Sequence, residues 1–160
     1  MQPLPGRGKR MKAVGLSPEQ VVVLALLCLN TVQDLRKQEI LALPTAAAAA
    51  AGFFWVLLRM RQPVPQILSG GIPGLAVMLA AALSEGEIGG GDGLVLLAAG
   101  IWLGLPSAML FLADALLPAA AYALAERIRS RNRNVWKKRI PFLPFLLGGY
   151  LLWMLFPGIP

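Results

Sequence analysis

Two aspartates, Asp34 and Asp92, lie where polar sequence meets long apolar segments of the 160-residue chain. A pair of carboxyl groups can hydrolyse a peptide bond without a metal ion or an activated serine. The ionised carboxylate takes a proton from water, the protonated carboxyl polarises the peptide carbonyl, and like-charge repulsion separates their pKa values. The two residues are therefore candidates for a catalytic pair. The competing interpretation is that each one ends or begins a helix at a membrane surface.

Several other hydrolytic centres are excluded by residue types that are rare or missing. The chain has no histidine and a single cysteine, Cys28. Ser-His-Asp and Cys-His centres, thiolate zinc sites and disulfide frameworks therefore cannot form within it. We expect no metal ion and no cofactor in the site.

The composition predicts a membrane protein. Hydrophobic residues make up 57% of the chain, charged residues only 14%, and the mean hydropathy is +0.65. Charged residues make up about a quarter of a soluble protein, and the prolines and glycines here lie inside apolar stretches, which membrane helices tolerate. We expect an all-α, polytopic integral membrane protein with about six transmembrane helices. It would occupy residues 17–158, after a basic N-terminal tail of residues 1–16.

Six apolar segments can be delimited by charges and turn residues. They are Ser17–Asp34, Ile40–Leu58, Gln66–Leu83, a short segment from Gly93 to about Gly104, Pro106–Ala125, and a last one from Ile140 to near Pro157. Ser17-Pro18-Glu19-Gln20 predicts a capped start for the first helix. Gly70-Gly71 and Pro73 predict a kink in the third segment, and Gly104-Leu105-Pro106 predicts a break in an apolar run too long for one span. Six passes place both aspartates at the same membrane face.

The basic residues orient these passes. Seven Lys and Arg lie between Arg127 and Arg139, and Arg36 and Lys37 follow the first segment, which makes nine on this side against six on the other. The excess favours modestly an orientation with the aspartate-bearing face in the cytoplasm, and we expect the protein in the cytoplasmic (inner) membrane. The basic run could also indicate nucleic-acid binding, but its place between two apolar segments favours the lipid bilayer as partner and no nucleic acid.

The sequence around the two aspartates resembles that of type IV prepilin peptidases. Residues 34–40, DLRKQEI, are similar to the D-x-R-(basic)-x-x-I pattern after the first peptidase helix of that family, and residues 89–92, GGGD, match its G-x-G-D motif. Residues 96–104 look like the stretch that follows this motif, and residues 140–145, IPFLPF, resemble the final I-P-F-x-P-F element. The order of these four elements is more specific than the glycine-rich motif alone.

This resemblance implies a membrane aspartic endopeptidase that removes the short basic leader from prepilins or prepilin-like proteins at the cytoplasmic face. Asp34 and Asp92 would form its catalytic pair. Acidic residues can attract a basic leader, and glycines permit close approach of a backbone. The candidate substrate-binding residues are Glu85, Glu87, Gly89 and Gly91.

Two positions depart from the family pattern: Leu41 where many members have proline, and Leu94 where many have lysine. Both lie beside the candidate catalytic residues, so substrate positioning is expected to differ. The paired-cysteine domain with which bifunctional members methylate the new N-terminus has no counterpart in this sequence. We therefore expect peptidase activity alone.

Two other functional classes remain open. A small transporter or pore could use Asp34, Asp92 and Asp114 as an ion path, since an intramembrane carboxylate often has a function. A catalytically inactive assembly protein is the third class. No motif of the family covers Asp114, and we expect a neutral, hydrogen-bonded packing role for it. The sequence does not indicate the oligomeric state.

Overall fold

The computed structural model describes residues 16–37, 40–83, 89–129 and 142–155. Within these residues it contains seven α-helices and no strand, so the predicted all-α class is confirmed for the described part of the chain. The helices are α1 (Pro18–Lys37), α2 (Ala42–Arg59), α3 (Val64–Gly70), α4 (Ile72–Leu83), α5 (Gly90–Leu103), α6 (Leu105–Arg129) and α7 (Leu143–Leu155).

The start of α1 is closed by a capping box, as the sequence predicts. The backbone N–H of Gln20 donates to the Ser17 hydroxyl at 3.3 Å, and the Ser17 N–H donates to the Gln20 side-chain oxygen at 2.9 Å. Pro18 fills the first helical position, where its missing N–H leaves no donor unpaired. This local chemistry fixes where α1 begins.

Only some of the helices have the length and composition of a membrane span. Among the described helices two qualify, α2 and the Leu105–Glu126 part of α6. Helices α3 and α4 would make a third if the pair, bent by 47°, is one broken span. Helices α5 and α7 are apolar but have only 14 and 13 residues. The helices thus give two or three candidate spans, and the expected number of about six stays a prediction.

The two predicted irregularities are present. The third apolar segment is divided at Gly71 into α3 and α4. Helix α5 ends at Leu103; the next residue, Gly104, has a φ of 83°, a conformation that favours glycine, and α6 begins at Leu105. The chain therefore turns back at Gly104 within three residues.

Contacts between the helices show that consecutive helices run in opposite directions, with α3 and α4 counted as one unit. Asn30 of α1 contacts Thr45 of α2, whereas Glu19 contacts Trp55. Thr31 of α1 likewise contacts the first residue of α7. The last turn of α1 and the first turns of α2, α5 and α7 therefore lie at one end of the helix bundle, which we call the aspartate end.

Helix α5 is the central element of the bundle. Its residues Val95, Leu96, Ala98 and Ala99 are completely buried. At Gly70 of α3 and Gly100 of α5 the two backbones touch, so that neither position has room for a Cβ atom. Close backbone contact of this kind is common between helices in lipid. The hydrophobic effect does not drive helices together there, and small residues allow close van der Waals packing instead.

The outer surface of the bundle is strongly apolar. In the part of the chain that the structure describes, twenty-six large hydrophobic side chains are exposed, far more than a water-soluble surface of this size accommodates. Those exposed by more than 70% are Leu43, Leu58, Leu83, Leu117, Ile128 and Leu155. This surface and the apolar helices indicate association with a membrane.

Candidate active site

Asp34 lies in the last turn of α1 and is buried, with 8% of its surface exposed. The backbone N–H of Leu143, the first residue of α7, donates a hydrogen bond to its carboxyl group. The other carboxyl oxygen, Oδ2, is buried and receives no hydrogen bond from any described residue. A buried acceptor without a donor is costly in a structural role and is common at catalytic sites.

Asp92 lies in the first turn of α5 and is half-buried. Its own N–H bonds to the Gly89 carbonyl at 3.2 Å, which closes the turn that starts the helix. The free N–H groups at a helix N-terminus favour a negative charge there. The position of Asp92 alone is thus compatible with a residue that merely begins a helix. Its surroundings must distinguish this role from membership of a catalytic pair.

The carboxyl groups of the two aspartates are close enough to interact electrostatically. Neither residue lies in one of the candidate membrane spans. Burial, with the negative charge of Asp34 as a second cause, raises the pKa of Asp92 to about 7. Burial also raises the pKa of Asp34, while the hydrogen bond from Leu143 acts in the opposite direction. Near neutral pH the pair can therefore hold one proton between two carboxyl groups, as acid–base chemistry requires.

The glycines before Asp92 differ in the space around them. A Cβ atom on Gly91 would lie 2.5 Å from Cγ1 of Ile40, and one on Gly89 would lie 3.2 Å from Oδ2 of Asp92. A Cβ atom on Gly90 would meet only the Ala81 side chain at 3.8 Å, an ordinary contact. The packing thus explains a G-x-G-D pattern in which the middle position can carry a side chain and the outer two are restricted.

A buried polar cluster next to Asp34 was not singled out from the sequence. The Asn30 side chain donates to the Leu26 carbonyl at 3.0 Å and to the Thr45 hydroxyl at 3.1 Å, and its oxygen accepts from the Leu41 N–H at 3.1 Å. The cluster therefore ties the beginning of α2 to α1 one helical turn from Asp34. The available signal was a polar residue four positions before Asp34, which places both on one helix face.

The comparison with protein families agrees with this site. The model of the type IV leader peptidase family matches residues 21–124, more than half of the chain, and this range includes both aspartates. The chain belongs to the type IV leader peptidase family. No curated protein and no solved structure matches the chain. The resemblance seen in the sequence is thereby confirmed, and membership indicates a membrane-associated protease of the leader peptidase type.

The sequence also singled out Glu85, Glu87 and Asp114 as candidate residues. Glu85 and Glu87 fall outside the described residues, as does the part of the basic run Arg127–Arg139 that follows Arg129. Asp114 lies in the middle of α6, half-exposed, and no hydrogen bond or ion pair joins it to another described residue. The hydrogen-bonded packing role that we expected for Asp114 is therefore not found. Within the described residues, no group of three or more His, Cys, Asp or Glu side chains could hold a metal ion.

Proposed function

We propose that the chain is a membrane aspartic endopeptidase that cleaves the basic leader from prepilin-like proteins at the cytoplasmic face. The observation that supports this most is the electrostatic contact between Asp34 and Asp92. They come from helices far apart in sequence and both lie in the range matched by the family. An arrangement of two interacting, partly buried carboxyl groups is the minimum that aspartic peptide hydrolysis requires.

The proposed reaction uses one proton shared by the pair. The ionised carboxylate accepts a proton from a water molecule as the water oxygen bonds to the peptide carbon, while the protonated carboxyl donates to the carbonyl oxygen. When the carbon–nitrogen bond breaks, the carboxyl that gained the proton passes it to the leaving amine. The carbonyl oxygen returns its proton to the other carboxyl, and the pair is back in its starting state.

Charges at the aspartate end support the cytoplasmic orientation. Arg36 and Lys37 end α1 and Arg129 ends α6 at this end, whereas Arg59 ends α2 at the other. The positive-inside rule associates the more basic end with the cytoplasm. A prepilin presents its basic leader on that side and an apolar helix next to it, which the exposed apolar helices of this chain could contact within the bilayer.

Co-expression with candidate prepilins tests the proposal. Asp34→Asn and Asp92→Asn should each abolish the loss of mass that corresponds to leader removal, and the double variant should be scarcely worse than either, because the two residues act as a unit. Asp114→Asn is the matched control, since it changes an acid of the same chain away from the pair. Substantial cleavage by either single variant, with both variants inserted in the membrane, would contradict the aspartic mechanism.

A second candidate function is favoured by one observation. Asp114 is a half-exposed carboxyl without a partner among the described residues, near the middle of a candidate span. Such groups are costly in lipid and often mark ion paths. A transporter or pore would need Asp114 and no peptide substrate. An ion flux that is measured without any peptide substrate and is lost in Asp114→Asn would support this second function.

A further inference from the structure

The first turn of α7 is held at two points by the helix that carries Asp34. The Thr31 hydroxyl donates to the Leu143 carbonyl at 3.3 Å, and the Leu143 N–H donates to the Asp34 carboxyl. Thr31 and Asp34 are three residues apart on α1 and so lie on the same helix face. The backbone N–H and the carbonyl of Leu143 are thus both hydrogen-bonded to this face of α1, although Leu143 lies 112 positions from Thr31 in sequence.

The carboxyl groups of Asp34 and Asp92 differ in the hydrogen bonds that they receive. The first N–H groups of a helix have no partner within it, and in α7 the Leu143 N–H bonds to a carboxyl group from another helix. A donor that bonds to a carboxylate stabilises its charged form, and the positive end of the helix adds to the effect. No described residue donates a hydrogen bond to the carboxyl group of Asp92.

We propose that Thr31 is a positioning residue that holds α7 so that Leu143 keeps Asp34 ionised, which makes Asp34 the base and Asp92 the proton donor of the pair. The inference rests on the proposed function, because it assigns roles within the same site. Thr31 acts through Leu143 and touches no reacting atom. Without its hydroxyl, the carbonyl of Leu143 loses a donor and the first turn of α7 is free to shift away from Asp34.

The test removes the hydroxyl and keeps the shape of the side chain. In purified protein, Thr31→Val should lower kcat about ten-fold with little change in KM, since the interaction matters for the reaction and not for substrate binding. The acid limb of the pH profile of kcat/KM reports the base of the free enzyme. It should move upward by about one pH unit as Asp34 becomes easier to protonate. Thr31→Ser, which keeps the hydroxyl, should restore both values.

Tyr150→Phe provides a matched control. The Tyr150 hydroxyl donates to the Gln20 carbonyl at 2.9 Å, so it joins the same two helices by the same kind of bond at the opposite end. Its removal should lower the melting temperature without moving the pH profile. Equal changes of the profile in Tyr150→Phe and Thr31→Val would show a general effect of loosening α7 and would overturn the positioning role.

The outcomes separate this inference from the proposed function. If Asp34→Asn or Asp92→Asn still cleaves, the proposed function fails. If both are inactive while Thr31→Val keeps the normal profile and kcat, only the assignment to Thr31 fails. If Thr31→Val does not accumulate in the membrane, Thr31→Ala is judged by the same criteria, because it removes the hydroxyl and adds no bulk.

Discussion

Gly91→Ala tests whether packing against Ile40 sets the position of Asp92. The new Cβ atom would lie 2.5, 2.7 and 2.9 Å from the Cγ1, Cδ1 and Cγ2 atoms of Ile40, whereas ordinary contact begins near 3.4 Å. Because both γ carbons are among the three, a different rotamer of this stiff side chain replaces one clash by another. Relief therefore requires α5 and the chain around Ile40 to separate by about 1 Å.

The expected effects follow from that displacement. Overpacking of this kind costs about 1–3 kcal/mol of stability. Asp92 follows Gly91 directly, and Ile40 comes six residues after Asp34, so the same movement changes the geometry of the pair. A misplacement of about 1 Å can reduce a catalytic rate on the order of 100-fold. We expect Gly91→Ala to lower both the melting temperature in detergent and, by about two orders of magnitude, the rate of leader cleavage.

Two further variants isolate the cause. Gly90→Ala adds the same methyl group one position earlier, where it meets only Ala81 at 3.8 Å. It should leave cleavage unchanged and raise stability slightly, because alanine favours a helix more than glycine does. Ile40→Ala removes all three clashing atoms, so the double variant with Gly91→Ala should recover most of the lost rate. A Gly91→Ala variant as active as Gly90→Ala would refute the packing argument.

Three other predictions concern ionisation, orientation and substrate. Since the proposed reaction needs a protonated Asp92 and the pKa of Asp92 is about 7, cleavage should fall as the pH rises through about 7, as a pH profile of kcat will show. Cysteine labelling at Ser130 in a Cys28→Ala background should need a membrane-permeant reagent in intact cells, and labelling by an impermeant one would place this loop outside. Glu85→Gln with Glu87→Gln should weaken substrate affinity a few-fold, less so at high salt, and leave turnover nearly intact. Lost turnover with unchanged affinity would place leader recognition elsewhere.

The sequence predicts well those features of the fold that are specified by residues adjacent in the chain. The capping box at Ser17, the break at Gly104 and the divided third segment each depend on a few adjacent residues with strong backbone preferences. The prediction that Asp34 and Asp92 lie at one end followed from the parity of six expected passes, and the alternating helix directions of the structure agree with it. The number of helices that cross the membrane stays a prediction.

The long-range contacts between helices, both at the site and at the opposite end of α1, were beyond such reasoning. Thr31 bonds to Leu143 across 112 residues, and the Glu19 carboxylate accepts a bond from the Trp55 indole N–H, 36 residues away, at 2.9 Å. Polar residues near the end of an apolar segment look alike in sequence whether they face lipid headgroups or a neighbouring helix. Their partners depend on the rotation of each helix in the bundle, which the apolar pattern of a membrane protein specifies poorly because both faces are apolar.

The two aspartates are positioned by different physical means, and this makes them separable by experiment. Helix α1 is tied to α2 and α7 by hydrogen bonds near both of its ends, and such bonds are strong where water is scarce. Helix α5 is fixed by close packing of glycines against α3, α4 and Ile40. Removal of a buried hydroxyl should therefore disturb Asp34 first, whereas an added methyl group on α5 should disturb Asp92 first. If the pair acts as one catalytic unit, as we propose, combining Thr31→Val with Gly91→Ala should give losses of rate that add less than fully.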